Sequence, residues 1–287
     1  MSLVYSRRLL PLIAVLAACA TKDASKPANA SDSAQPVAAK PHQMTVVATE
    51  YAFAAPDQVP SGMTTVHLVD NGSELHHVAF IKLNDGKTIA DIEQALKTQG
   101  PMPMWAIDHG GVNPSRPGGG MATTTQMLEP GNYALLCFIP TADGVPHFAK
   151  GMVRPLTVTA STDASAPAPA ADVVMTLNDY SFTTSTPLTA GKHTIEIKNA
   201  GKQSHELVLA RMAPGKKAAD LGAWVEKQSG PPPAEPVGGV PAIATGTSAF
   251  MTADLSPGEY AFICFIPDSK DGKAHFTHGM LQDVHVQ

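Results

Sequence analysis

Four side-chain types that bind soft metals recur in one order in each half of this 287-residue chain. The first half offers His76 after Gly72-Ser73-Glu74-Leu75. Cys137 follows in Cys137-Phe138-Ile139-Pro140, then His147 and Met152 in His147-Phe148-Ala149-Lys150-Gly151-Met152. The second half offers His205 after Gly201-Lys202-Gln203-Ser204. Cys264 follows in Cys264-Phe265-Ile266-Pro267, then His275 and Met280 in His275-Phe276-Thr277-His278-Gly279-Met280. Two imidazoles, one thiolate and one thioether suit an ion that alternates between Cu(I) and Cu(II), because soft sulfur favours the reduced state and imidazole serves both. The chemistry implied is the passage of one electron with little rearrangement. Cysteine, second histidine and methionine are near enough in sequence to share one loop between two strands. The first histidine must come from a distant strand, so the site can close only across a fold.

The elements that would do this are legible as β-structure. Met44 to Thr49, Thr64 to Val69, His77 to Leu83, Met121 to Leu128, Tyr133 to Phe138 and Met152 to Val158 are β-branched or alternate, with Gly, Pro, Asn and Asp between them. Pro130-Gly131 and Pro257-Gly258 are turn signals feeding the cysteine strands. A helical insertion is expected in each half. Thr88 to Lys97 carries Ile89, Ile92 and Leu96 on one face, and Lys217 to Lys227 carries Leu221, Trp224 and Val225. The halves are internal copies: Thr64 to Phe80 aligns without a gap on His193 to Leu209, and both cysteine runs read Pro-Gly-x-Tyr-Ala-x-x-Cys-Phe-Ile-Pro. A domain-sized period argues for duplication, and short strands with turn punctuation argue for two-sheet sandwiches.

Several neighbours compete for the same roles. His77 adjoins His76, but the gapless alignment places His76 on His205 and His77 on Glu206, and alternation lets only one neighbour face the metal. His278 competes with His275, whose spacing to Met280 matches that of His147 to Met152. His67, His109, His193 and His285 have no copied partners and read as surface residues. Asp70 and Asn199 precede the ligand loops and could pin them by hydrogen bonds. Met102, Met104, Met121 and Met127 would suit a Cu(I) store, yet they fall in a Pro-rich loop and on a strand and read as ordinary loop or core methionines. Trp105 and Trp224 read as packing residues. Cys137 and Cys264 could form a disulfide only if equivalent positions of the two copies met face to face.

On these residues each half resembles a cupredoxin domain, the plastocyanin and azurin family. The resemblance implies an all-β fold of two tandem Greek-key β-sandwiches, each holding one type 1 copper. It assigns His76, Cys137, His147 and Met152 as ligands in the first domain and His205, Cys264, His275 and Met280 in the second. It also implies that electrons enter through the His147 or His275 imidazole, which in the family lies near the surface. The gap between cysteine and histidine, residues 138 to 146 and 265 to 274, is longer than in small cupredoxins and looks more like the type 1 site of copper nitrite reductases. Those reductases place histidine before the cysteine, where this chain has Leu136 and Ile263, and the His-x-His and His-Cys-His runs of multicopper oxidases do not occur. The expectation is therefore an electron carrier that is not an enzyme and has no small-molecule substrate. Copper storage, delivery or resistance is the alternative, and a metal-free structural sandwich the second.

The ends place this unit. Arg7-Arg8, the apolar run Leu9 to Ala18 and Cys19 make an export signal too short to span a bilayer. Leu16-Ala17-Ala18-Cys19 resembles the lipobox of bacterial lipoproteins, which implies an acylated Cys19 as membrane anchor. The expected organisation is a signal peptide at 1–18, a flexible tether at 19–42, one domain at 43–159, an Ala/Pro/Ser linker at 160–171 and a second domain at 172–287. The location implied is the cell envelope or periplasm, at the outer membrane if the cell is Gram-negative. A redox partner protein is expected there. The net charge of −5 and the lack of any basic run after the signal leave nucleic-acid binding unsupported.

Overall fold

The computed structural model describes residues 39–98, 102–227 and 229–287. The signal segment, Cys19 and the tether as far as residue 38 lie outside the described residues. The first half contains β1 (His42–Thr49), β2 (Ala52–Ala54), β3 (Gln58–Pro60), β4 (Gly62–Asp70), β5 (Val78–Leu83), α1 (Ile89–Leu96), β6 (Ala106–Val112), β7 (Gly120–Leu128), β8 (Gly131–Leu136) and β9 (Val153–Thr159). The second contains β10 (Val173–Asn178), β11 (Ser181–Thr184), β12 (Gly191–Asn199), β13 (His205–Met212), α2 (Ala218–Lys227), β14 (Ala234–Ile243), β15 (Ser248–Leu255), β16 (Gly258–Ile263) and β17 (Leu281–Val286). Except for β3, every element of the first half has its counterpart in the second, in the same order.

The fold is all-β, a sandwich of two sheets. One runs β11-β10-β12-β15-β7-β4-β1-β2 and the other β17-β16-β13-β14-β6-β5-β8-β9-β3. Each order reads almost the same from either end, so the halves meet about a pseudo-two-fold axis. The meeting strands are antiparallel: β15 joins β7 at Phe250 to Thr125 and Met251 to Thr124, and β14 joins β6 at Ile243 to His109. Both sheets thus cross from one half into the other.

The sequence dictates which face of each strand turns inward. In β4 the alternation buries Val66, Leu68 and Asp70, and in β12 it buries Ile195, Ile197 and Asn199. The run Val78-Ala79-Phe80-Ile81 in β5 is apolar throughout because both of its faces are covered. Val78 and Phe80 join the core between the sheets, while Ile81 and Leu83 pack under Ile92 of α1. Leu221 of α2 covers Ala261 and Ile263 in the same way. Thr88 and Asp91 cap α1 reciprocally.

Two elements depart from the sequence expectation. β6 and β14, not among the strands named from the sequence, contain Gly110-Gly111 and Pro236 with Gly238-Gly239, and they form the junction between the halves. Register shifts break their ladders, and Gly111 and Gly239 sit at positive φ with the neighbouring carbonyl directly over them. A Cβ there would lie 2.0 Å from the Val78 oxygen or 1.9 Å from that of Leu207. The segment 160–171, expected to be flexible, is tied down: Ser165 Oγ accepts from the Met63 amide at 3.0 Å, Ser61 Oγ accepts from the Ser161 amide at 3.0 Å, and Ala166 is buried.

Candidate metal centres

Each first histidine is delivered by a loop closing the end of a buried strand. Asp70, the last residue of β4, accepts from the Gly72 amide at 3.1 Å and from the His76 amide at 2.9 Å. Burial pushes its carboxyl up to about 6 while these amides oppose the rise. Asn199 does the corresponding work, accepting from Gly201 at 2.9 Å and donating to the Gln203 and Ile243 carbonyls at 2.8 Å each. Both residues pin the loops, as their positions suggested.

The other donors come from one closed loop. Cys137 follows β8, and its carbonyl accepts from Phe148 at 2.8 Å while its amide donates to Met152 at 3.4 Å. His147 donates to the Ile139 carbonyl at 2.9 Å, and Met152 donates back to His147 at 3.0 Å. Bridges between Pro140 and Pro146, and between Pro267 and Ala274, pinch off the long inserts. The extra residues bulge outward, and cysteine and histidine are held as close as a short loop would hold them. A 3-10 turn over His147–Lys150 and its counterpart His275–His278, each ended by glycine at positive φ, then turn the chain into the methionine.

The donor atoms converge. His76 Nδ1 lies 3.0 Å from His147 Nδ1, and Cys137 Sγ lies 3.5 Å from the same nitrogen. In the second half the corresponding distances are 3.0 Å from His205 to His275 and 3.4 Å from Cys264 to His275. Two bonds of about 2.0 Å to nitrogen at a tetrahedral angle set the nitrogens about 3.3 Å apart, and with a sulfur bond of about 2.3 Å the N···S separation is about 3.5 Å. The donors are therefore spaced to share one ion. All six side chains are buried. Met152 and Met280, fully buried, sit in the same core clusters as Cys137 and Cys264.

Burial also sets the protonation. It pushes the Cys137 thiol up to about 12 and raises that of Cys264. It lowers His76 and His147 and brings His275 down to about 4. The metal-free first site is a neutral thiol with neutral imidazoles, and metal binding must expel the thiol proton. In the second half Asp179 Oδ1 lies 2.9 Å from His205 Nε2, which fixes the proton there and leaves Nδ1 as a bare donor. In the first half Glu50 is turned instead to Ser73, and His76 Nε2 is buried without a partner.

Neither competing histidine joins a His, Cys, His group; His278 falls instead with Asp268 and Asp271. His77 accepts from the Phe138 amide at 2.8 Å through Nε2 and faces Asn113 at 3.2 Å through Nδ1. His278 turns outward to Asp271 at 3.2 Å. Cys137 and Cys264 are both free, so no disulfide links these two equivalent positions.

The second histidines are not near the surface. His147 and His275 are both 0% exposed. The Tyr51 ring packs edge-on against His147 at 5.2 Å, and Tyr180 against His275 at 5.8 Å. Glu74 Oε2 stands 3.1 Å from His147 Nε2, too bent for a hydrogen bond. Asp268, held by the Tyr180 hydroxyl and by Gln203 at 2.9 Å, stands 3.8 Å from His275 Nε2. Sequence reasoning missed these caps. Their signal was a further duplication, Glu50-Tyr51-Ala52-Phe53 against Asp179-Tyr180-Ser181-Phe182, with both tyrosines at positive φ.

No family model matches the chain, and no curated protein matches it. Among solved structures it is similar to an auracyanin from Roseiflexus castenholzii at 23% identity, covering 41% of this chain and 96% of that one with a TM-score of 0.29. It is also similar to a blue copper oxidase from Nitrosomonas europaea (14% identity, 85% of each chain, TM-score 0.23). A third is a copper-containing nitrite reductase from Thermus scotoductus (9% identity, 85% of this chain and 61% of that one, TM-score 0.23). The expectation that the chain is not an enzyme is corrected by this comparison, because multicopper oxidases, a laccase and a nitrite reductase, all enzymes, are among the structures it resembles. The fold is an all-β sandwich of two sheets, and the two His, Cys, His groups are a donor set for copper.

Proposed function

We propose that this protein takes up and passes on single electrons through two type 1 copper centres, one in each of two duplicated cupredoxin-like domains at 43–159 and 172–287. The observation that carries the reading is that the same donors converge twice, with separations of 3.0 to 3.5 Å, in fully buried surroundings. A site whose donors are already spaced for the ion, and held by hydrogen-bonded loops, changes little between oxidation states. His76, Cys137, His147 and Met152 would hold the first copper, and His205, Cys264, His275 and Met280 the second, the sulfurs favouring Cu(I) and the imidazoles serving both oxidation states. Electrons reach each centre past Tyr51 or Tyr180, which cap the second histidines. Export by residues 1–18, a lipid on Cys19 and a redox partner protein at the cell envelope complete the proposal.

The test is the visible spectrum of the copper-loaded chain beside a copper count, repeated with Cys137→Ser and Cys264→Ser. An intense thiolate-to-copper band lost stepwise in the two variants is the expected result. Copper bound without that band would favour storage or delivery, and no copper uptake would leave a metal-free sandwich.

A further inference from the structure

At the junction of the halves one asparagine breaks the symmetry. Asn113 follows β6 where β14 has Pro241, so the duplication supplied this side chain only once. It is 1% exposed, and its amide and both side-chain polar atoms are hydrogen-bonded. Its amide N–H donates to the Gly239 carbonyl at 3.1 Å and its Nδ2 to the Leu207 carbonyl at 2.9 Å, both in the other half. Its Oδ1 takes His77 Nδ1 of its own half at 3.2 Å.

His77 and Glu206 are themselves equivalent. Each follows the first histidine of its site, and each turns away from the metal to hold the amide after the cysteine. Phe138 donates to His77 Nε2 at 2.8 Å, and Phe265 donates to Glu206 Oε1 at 2.7 Å. The Glu206 amide also points at Cys264 Sγ, 3.5 Å away. An unbroken line of covalent and hydrogen bonds therefore runs from Cys137 and Phe138 through His77 and Asn113 to the Leu207 carbonyl, and along the backbone to the Glu206 amide and Cys264. Packing alone does not call for it, since buried polar groups cost free energy that apolar side chains of the same volume avoid.

Resting on the reading that both halves hold type 1 copper, we propose that this buried bridge couples the two centres, so that an electron taken up in either half equilibrates between them within one molecule. Electronic coupling falls off more slowly along bonds and hydrogen bonds than across van der Waals gaps, and the bridge leaves no such gap. The step moves one electron and no atom: one half is oxidised by one, the other reduced by one, and no proton or co-reactant is needed.

The experiment uses the full chain loaded with two copper ions. Its two bands are assigned with Cys137→Ser and Cys264→Ser, and their different surroundings give each a distinct copper EPR signature. A flash-generated radical reduces a minority of the copper, and redistribution is followed at several protein concentrations. Half-reduced samples are read in parallel by NMR line broadening, which detects exchange even where the two potentials coincide. The expected result is a first-order exchange independent of protein concentration. In Asn113→Leu it is lost, leaving only exchange that quickens with concentration, while both bands persist; the melting temperature falls, because the Leu207 carbonyl and His77 Nδ1 lose their buried partner. Asn113→Ser serves if the leucine variant does not fold. Two intact bands without intramolecular exchange, or exchange that survives the Asn113 variants, would overturn the coupling and leave Asn113 a packing residue. Fewer than two bands in the unaltered protein would overturn the copper reading itself, a failure visible before any flash.

Discussion

Alanine at Gly72 disturbs the first centre without touching a ligand. Gly72 does not have positive φ, so the backbone accepts a side chain and only space is at issue. A Cβ there would lie 2.5 Å from His76 Nε2, 2.7 Å from its Cδ2 and 3.0 Å from Glu50 Oε1. Ordinary contact is about 3.5 Å, so the ring must retreat by about 1 Å. Metal sites tolerate errors of about 0.2 Å in ligand distance, so the retreat takes Nδ1 well outside the coordinating position. Overpacking of this kind costs about 2 kcal/mol, which in a domain of this size lowers the melting point by about 4 to 8 °C. Copper affinity should fall at least about 10-fold, removing about 1.4 kcal/mol of the stabilisation that copper confers. The assay is thermal unfolding with and without copper, together with copper titration, in a Cys264→Ser background so that only the first half responds. An unchanged melting point with unchanged affinity would mean that His76 does not rest against Gly72, and the arrangement of the site would be refuted. Gly201→Ala should do the same to the second half, where the Cβ would meet both His205 Nε2 and Asp179 Oδ1 at 2.5 Å.

Three further outcomes are expected. The copper-free protein should lose stability as pH rises from about 9 towards about 12, because the unfolded chain releases the Cys137 proton near 9 while burial holds it in the folded chain. Each such thiol contributes about 1.4 kcal/mol per pH unit in that window. Urea unfolding of a Cys137→Ala, Cys264→Ala variant across the same range should give a flatter profile, and an equal slope would show that these thiols do not titrate this way. Tyr133→Phe removes the 2.9 Å hydrogen bond to the Glu129 carbonyl but leaves the ring buried, and should cost about 1 kcal/mol in equilibrium unfolding. Tyr260→Phe, which loses the 2.9 Å bond to Ser256, should cost a similar amount, and the two should add because the sites are independent. Gly239→Ala should cost about 3 kcal/mol or more, since it combines a contact of 1.9 Å to a backbone oxygen with positive φ. Wild-type stability of that variant, measured by denaturant midpoint, would show that the β14 bulge is not as described.

The order His, Cys, His, Met, present twice, is enough by itself to specify the chemistry of the sites, because coordination depends first on the type of donor atom. Periodicity also marks most of the strands and both helices, since each buries a face whose period can be read locally: Val66, Leu68 and Asp70 on β4, or Ile92 on α1. Three features were decided only by contacts between distant parts of the chain. β6 and β14 carry glycines because another strand's carbonyl crowds their bulges, a reason that local composition cannot express. The burial of His147 and His275 comes from Tyr51 and Tyr180, roughly a hundred residues away in the chain, so the expectation of a ring near the surface failed. His77, Glu206 and Asn113 looked ordinary in sequence because their hydrogen bonds exist only where the halves meet. A sequence records what each residue can offer as a donor, a hydrophobe or a turn. Which offers are taken up depends on what the fold brings within about 3 Å, and for polar groups that distance is the interaction.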